Sequence, residues 1–517
     1  MAEQITLEQI QDFKGKYPKQ LWSLFFSEMW ERFCFYGMRG MLTYFMVTQL
    51  LMKDVDANLQ YGATQAFVYA FTFIGGLFAD KILGFRKSLF WGGILMIVGS
   101  AILAYDPHQF FFLGISFTVV GTGFFKPNIS TMVGKLYRAD DIRRDAGFSV
   151  FYAGINIGAL LGGYACIAIG KEYSWHLAFG LAAIVMTISL ITFLFTQKTL
   201  GPIGLPPSED EQIVDETFVG IDEKVQPEPV AIKRKSINRK WYDYAVYAGT
   251  LAIVPVIMIM VAKTQYTDWF MYTVGPATLI YLFFEMSKYS VAERKKLAAA
   301  LVFILFSIVF WGIYEQSGGS LALFAARNLD NKILGTITLD PNGVNNAANS
   351  LFVIIFAFLI SLIWIAMAKK KIEPNTLIKF GLGFLFLGAA YFIFYSTRFF
   401  ATPEGIASLD IFTIAYFVVT LGELCLSPIG LSIMTKLSPP KLQGVMMGMW
   451  FLASAYGQYV AGLLGANLSK AGENDSALQK LITYTEGYKQ LAIYSLIAGV
   501  ILISISPLVK KLMQEVK

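Results

Sequence analysis

Three cysteines and two histidines in 517 residues leave little material for a disulfide framework or a metal centre. Cys34, Cys166 and Cys425 each stand alone inside an apolar run, which suits packing. His108 and His176 fall at predicted helix ends, so proton chemistry in this chain has to rest on carboxylates. Charge is scarce as well. Only 15% of residues are charged against 56% hydrophobic, and the mean hydropathy of +0.55 is too high for a chain that faces water on all sides. A repeated pore-filter segment, a nucleophile beside a base, and a His/Cys ligand set are all missing, which argues against a channel and against a membrane-embedded enzyme. No metal or other cofactor is expected.

What the chain has in quantity is apolar runs of spanning length, since about 20 such residues cross roughly 30 Å of hydrocarbon. Runs bounded by charge, Pro or Gly fall near 21–50, 60–80, 88–105, 110–134, 145–170 and 177–196. The polar stretch 197–240 follows, with Pro202, Pro206 and Pro207, an acidic run from Glu209 to Glu216 and the basic Lys233-Arg234-Lys235, and reads as a linker. Further runs lie near 242–262, 269–287, 298–324, 348–368, 376–397, 409–436, 443–468 and 488–509. This pattern predicts an all-α polytopic membrane protein with 14 transmembrane helices on the major facilitator plan. Its expected parts are a six-helix bundle over 1–196, a cytoplasmic linker over 197–240, two inserted helices over 241–290 and a second six-helix bundle over 291–517.

Lys and Arg set the orientation. Lys81, Arg86, Lys87, Lys135, Arg138, Arg143, Arg144, Arg294, Lys295, Lys296, Lys369 to Lys371, Lys510 and Lys511 all fall on one side, which is therefore expected to be cytoplasmic with both termini. The opposite loops carry Asp54, Asp56, Asp330, Asp340, Glu473 and Asp475. The net charge of +6 then needs no nucleic-acid partner. Met1 to Lys19 is polar and lacks the short apolar core of a cleaved signal, so no removed segment is expected.

Four ionisable residues interrupt the first apolar run: Glu28, Glu31, Arg32 and Arg39. At a helix centre each costs about 2.5–3.5 kcal/mol, so together they oppose insertion by roughly 10 kcal/mol and cannot face lipid. With Glu28 at zero, Glu31 projects near about −60°, Arg32 about 40°, Phe35 about −20° and Arg39 about 20°, a single stripe. That stripe lines either a sealed ion-pair network or a water-filled cavity. Lys126 before Pro127, Glu315 after Trp311, and Glu423 before Ser427-Pro428 are further charges inside apolar runs. The prolines would bend their helices and free backbone groups there. Between runs two and three, Asp80 and Arg86 flank a glycine turn at Gly84 and suggest a latch that pairs when helix ends close.

On these residues the sequence resembles the proton-dependent oligopeptide transporter family along nearly its whole length. The family's acid-x-x-acid-Arg pattern stands as Glu28, Glu31 and Arg32, its Phe-x-x-x-Asn pattern matches Tyr152 to Asn156 with Phe151 beside it, and Phe125-Lys126-Pro127-Asn128 also matches. The two inserted helices are typical of bacterial members. The resemblance implies a proton-coupled symporter that imports di- and tripeptides by alternating access, a monomer in a bacterial inner membrane with protons as the coupling ion. It implies proton coupling at Glu28, Glu31, Arg32 and Glu423. The implied substrate contacts are Arg32, Tyr36, Tyr69, Lys126, Asn156, Trp311, Asn328, Glu423, Ser427 and Trp450. Gating ion pairs would join Arg39 to Glu315 and Lys126 to Glu423. A peptide suits such a cavity because its ammonium and carboxylate lie at separated ends and need opposite poles. Two departures stand out: Phe35 replaces a tyrosine of many bacterial relatives, and Tyr69 stands where animal members carry histidine. The short loop from Arg398 to Asp410 also lacks the large external domain of animal relatives. The competing expectation is a major facilitator symporter for another small polar substrate, such as nitrate, an amino acid or a metabolite.

Overall fold

A computed structural model of the chain describes residues 5–138, 141, 143–206, 239–426, 430–439, 442–470 and 475–514. Most of the expected linker lies outside these residues, as does Glu473. The described part is almost wholly helical. A short helix α1 (Leu7–Gln11) precedes α2 (Lys19–Thr48), α3 (Asp54–Phe78), α4 (Phe85–Tyr105), α5 (Phe111–Lys135), α6 (Arg144–Glu172) and α7 (Trp175–Thr196). After the linker come α8 (Arg239–Ala262), α9 (Thr264–Met286), α10 (Val291–Tyr314), α11 (Ser320–Asn328), α12 (Pro341–Lys369) and α13 (Thr376–Ser396). The series ends with α14 (Leu409–Leu426), α15 (Gly430–Leu437), α16 (Gln443–Leu468) and α17 (Ala477–Met513).

Ten described helices are long and apolar enough to cross a membrane. Helices α2, α5, α9 and α16 are of similar length and pack among them, which brings the described set to fourteen once the short α1, α11 and α15 are left aside. The break between α10 and α11 differs from the unbroken run expected at 298–324. Helix α10 stops at Tyr314 with Glu315 as its cap, and Gly318 and Gly319 carry the chain into α11. Local signals fix several starts: Ser290 and Glu293 form a reciprocal capping box on α10. Asp340 caps α12 ahead of Pro341, and Asn375 caps α13. Two small elements carried no sequence expectation, α1 and a hairpin pairing Lys332–Ile333 with Ile337–Thr338.

Helices α2–α7 pack on one another, and α10–α17 do likewise. The two groups meet where α3 lies against α16, α6 against α12, and α2 against α11 and α12. The α3–α16 seam is built for close approach: a Cβ on Gly62 would stand 2.6 Å from the Gly462 Cα. The inserted hairpin covers this seam. Helix α8 is tied to the first bundle through Lys87 with Asp243 at 2.5 Å, Trp91 donating to Thr250 at 2.9 Å, and Gln60 donating to the Ala262 carbonyl at 3.1 Å. Helix α9 is tied to the second bundle, where Tyr459 donates to Asp268 at 2.5 Å and Tyr456 donates to the Met271 carbonyl.

A side chain at the seam has nowhere to go, and overpacking of this kind costs about 1–3 kcal/mol. Gly62→Val is therefore expected to lower the midpoint of thermal unfolding in detergent. Gly249→Val, at a position with nothing within 4 Å, should leave the midpoint unchanged and serves as the control.

Candidate functional site

The charged stripe of α2 is buried where α2 and α6 touch. Gly158 and Gly162 make the contact possible, because a Cβ at either would collide with the Met29 or Phe33 carbonyl. Arg32, 2% exposed, lies between its two acids: its Nε stands 2.9 Å from Glu28 Oε1 and 2.6 Å from Glu31 Oε2. These are ion-pair distances without hydrogen-bond alignment, and Arg32 Nη2, Glu28 Oε2 and Glu31 Oε1 have no hydrogen-bond partner. A sealed structural salt bridge would satisfy those atoms. A site that exchanges protons or receives a ligand leaves some of them available.

Arg39, two turns on, pairs with Glu315 at the break between α10 and α11, and its Nε donates to the Tyr61 hydroxyl at 2.7 Å. This is the expected pair between the bundles. Around it the face opposite the termini is closed by Thr43 donating to the Gly318 carbonyl, by Asn58 donating to Ser469 at 3.1 Å and by Lys171 with Asp340 at 2.8 Å. Arg327 adds a bidentate contact to Asp54. Towards the termini the bundles part: the buried residues of α12 all lie between Asn342 and Val353, and the rest of that helix is partly or fully exposed.

Between the closed end and the open end lies a cavity of about 240 Å³. Of the residues expected to bind substrate, Tyr69, Trp311, Glu423 and Trp450 line it. Lys126 reaches it through Tyr69, its ammonium 4.4 Å from that ring centroid. Arg32 stands 5.4 Å from the Phe35 ring and Arg39 5.6 Å from Tyr36, so each of these three cations has an aromatic ring beside it. Asn156 sits one turn from the lining residue Tyr152 and donates to its carbonyl at 2.9 Å.

Three expectations need correction. Lys126 and Glu423 do not pair in this conformation. The Glu423 carboxylate instead accepts from the Tyr314 hydroxyl at 2.6 Å and from Asn349 Nδ2 at 2.8 Å. The Asp80 to Arg86 latch is not formed either: Arg86 donates to the carbonyls of Ile203 at 2.7 Å and Gly201 at 2.5 Å, pinning the chain that leaves α7. Asn328 is not a substrate contact, because it is fully buried at the end of α11 and donates to the carbonyls of Gly405 and Ala477, away from the cavity. Ser427 lies outside the described residues.

The structure also supplies residues that the sequence reading passed over. Asn349 and Tyr314 hold Glu423, and Ser454, Gln458 and Phe380 line the cavity. A signal for Asn349 was present: Asn342, Asn345, Asn346 and Asn349 recur at helical spacing in an otherwise apolar helix. Asn345 from the same stripe accepts from Tyr416 at 2.6 Å and donates to the Ser317 carbonyl at 2.7 Å, bracing the α10–α11 break.

Removing one member of a buried ion pair strands the other, a loss of about 3–5 kcal/mol. Arg39→Leu should lower stability in detergent by that order, and adding Glu315→Gln should recover much of it. Chemical unfolding followed by tryptophan fluorescence measures both, and a double variant no better than the single one would contradict the pairing.

Comparison with known proteins agrees with this geometry. The model of the POT family matches residues 86–481. A peptide transporter of Yersinia enterocolitica is 33% identical over 474 residues, with 89% of each chain covered. A di-/tripeptide transporter of Lactococcus lactis subsp. cremoris is 31% identical, with 97% of each covered. Among solved structures, a mutant peptide transporter POT in complex with alafosfalin superposes with a TM-score of 0.78 at 31% identity, covering 99% of this chain and 100% of its own. A POT family transporter bound to a thioalcohol-conjugated peptide gives a TM-score of 0.79 at 29% identity, covering 98% and 100%. From the motif in its first long helix to the two-bundle fold around a dipolar cavity, the chain belongs to the POT family.

Proposed function

We propose that the protein is a proton-coupled symporter that imports di- and tripeptides across a bacterial inner membrane, alternating between the present conformation and one open on the other face. The observation that carries the reading is the pair of uncancelled poles in the cavity. Glu423 is held by neutral donors, and Lys126 faces an aromatic ring, so neither is neutralised by the other. A peptide zwitterion supplies what each lacks: its ammonium matches Glu423, and its carboxylate matches Lys126 and Arg32. Aromatic walls from Tyr69, Trp311 and Trp450 accept side chains of varied shape. Nitrate or another small anion would use only the cationic pole and leave Glu423 without a role.

The Lys and Arg excess on the termini face makes that face cytoplasmic, so the cavity is open inward here. Arg39 with Glu315, Arg327 with Asp54 and Lys171 with Asp340 then form the outer closure. Glu28 and Glu31 are the proton carriers in this scheme. Protonating one loosens its hold on Arg32 and frees the guanidinium for the substrate carboxylate, so proton and peptide bias the same two-state element. One chain holds a complete cavity, and the monomer is taken as the working unit.

Proteoliposomes with an acid-outside gradient should accumulate labelled dialanine saturably, and no uptake of any di- or tripeptide would sink the proposal. Glu31→Gln should abolish proton-driven accumulation while dipeptide counterflow persists. Loss of both activities together with loss of a folded, monodisperse protein would assign Glu31 to structure.

A further inference from the structure

On one wall of the cavity only Trp450 has an assigned task. Helix α16 contributes Trp450, Ser454 and Gln458, four residues apart and so on one face of the helix. The Ser454 hydroxyl donates to the Trp450 carbonyl at 3.3 Å, which leaves its oxygen free to accept. Gln458 is 2% exposed, and its Oε1 is buried with no hydrogen-bond partner. A buried amide oxygen without a donor is costly in free energy, and a cavity-lining residue recovers that cost only when a bound molecule brings the donor. The charged poles lie elsewhere, on α2, α5 and α14, so this wall is neutral, and its buried unpaired atom is an acceptor.

We propose that Gln458, with Ser454 beside it, is a specificity-determining residue that favours peptides whose side chains carry a neutral hydrogen-bond donor. The inference rests on the peptide reading above. Both termini of a dipeptide are engaged at the poles, and the group left to meet the α16 wall is a side chain. An amide or hydroxyl side chain brings the donor that Gln458 Oε1 needs. A carboxylate side chain can accept from the Gln458 amide N–H but brings no donor to its Oε1, so it gains less than an amide that satisfies both atoms. An aliphatic side chain fits beside Trp450 and leaves the oxygen unpaired.

The test is competition against labelled dialanine uptake in proteoliposomes, with Ala-Gln, Ala-Leu and Ala-Glu as competitors of similar size. Wild-type protein should prefer Ala-Gln to Ala-Glu by about tenfold, the equivalent of one neutral hydrogen bond at the upper end of its usual worth. In Gln458→Leu the advantage of Ala-Gln over Ala-Leu should vanish or reverse, with Ala-Leu competing at least as well as before. An equal loss for all three peptides would assign Gln458 to packing at the seam and overturn the inference, as would an unchanged order. Gln458→Glu covers failure of the leucine variant to fold: it keeps the shape and the acceptors, so it should retain a preference for Ala-Gln over Ala-Leu and gain one for Ala-Lys. Loss of the Ala-Gln preference in that variant overturns the inference as well. Wild-type protein that takes up no peptide sinks the peptide reading, whereas uptake with an order of competitors that Gln458→Leu leaves unmoved sinks this inference alone.

Discussion

Arg32 is a cation in an apolar interior, and much of the arrangement around it follows from that. A guanidinium there needs anions within reach, and Glu28 and Glu31 come from its own helix, so the cluster can enter the membrane already assembled. The cluster then needs a second helix close enough to exclude lipid, which the glycines of α6 provide. It also needs somewhere for its unsatisfied atoms to find partners, and the water-accessible gap between two bundles meets that demand. The placement of α2 at the centre of the molecule, in contact with α6, α7, α11 and α12, reads as the consequence.

The same reasoning explains why the second bundle treats its acid differently. Glu423 is held by Tyr314 and Asn349, both neutral. Neutral donors steady a carboxylate without cancelling its field, so the charge remains available to something that arrives from outside. Had Lys126 occupied the position, the cavity would have been internally compensated and indifferent to a zwitterion. Tyr314 sits beside the break after α10, and Asn349 sits on the helix that separates from α6. Both supports of Glu423 therefore belong to segments where the bundles close or part.

The sequence disclosed what depends on composition and local spacing. The spanning runs and the stripe of charges on α2 could be read from residue type and helical period, whereas the pairing of Arg39 with Glu315 and the aromatic positions at Tyr69, Trp311 and Trp450 were implied by the family resemblance. What escaped it depends on which of several partners a long side chain selects. Arg86 could reach Asp80 or the carbonyls at Gly201 and Ile203, and only the path of the chain after α7 decides for the carbonyls. Asn328 could reach a ligand or the backbone, and the turn at Gly405 claims it. The asparagine stripe of α12 was visible but mute, because its meaning lies in Tyr416, Thr420 and Glu423, some seventy residues away along the chain. The helix break at 315–319 did leave a trace, Glu315-Gln316-Ser317-Gly318-Gly319, but its apolar flanks on both sides made one continuous run the simpler reading.

The hairpin of α8 and α9 lies over a seam where the bundles meet backbone to backbone. Gly62 and Gly462 present no side chains to interlock, so that line behaves like a bearing, free to turn but unable to separate without exposing main chain to lipid. A strap held by α8 to the first bundle and by α9 to both limits how far the bearing can slip. Motion between the halves is thereby channelled into tilting about a fixed edge of the molecule, and the gap must open on the side facing away from the strap, along α6 and α12.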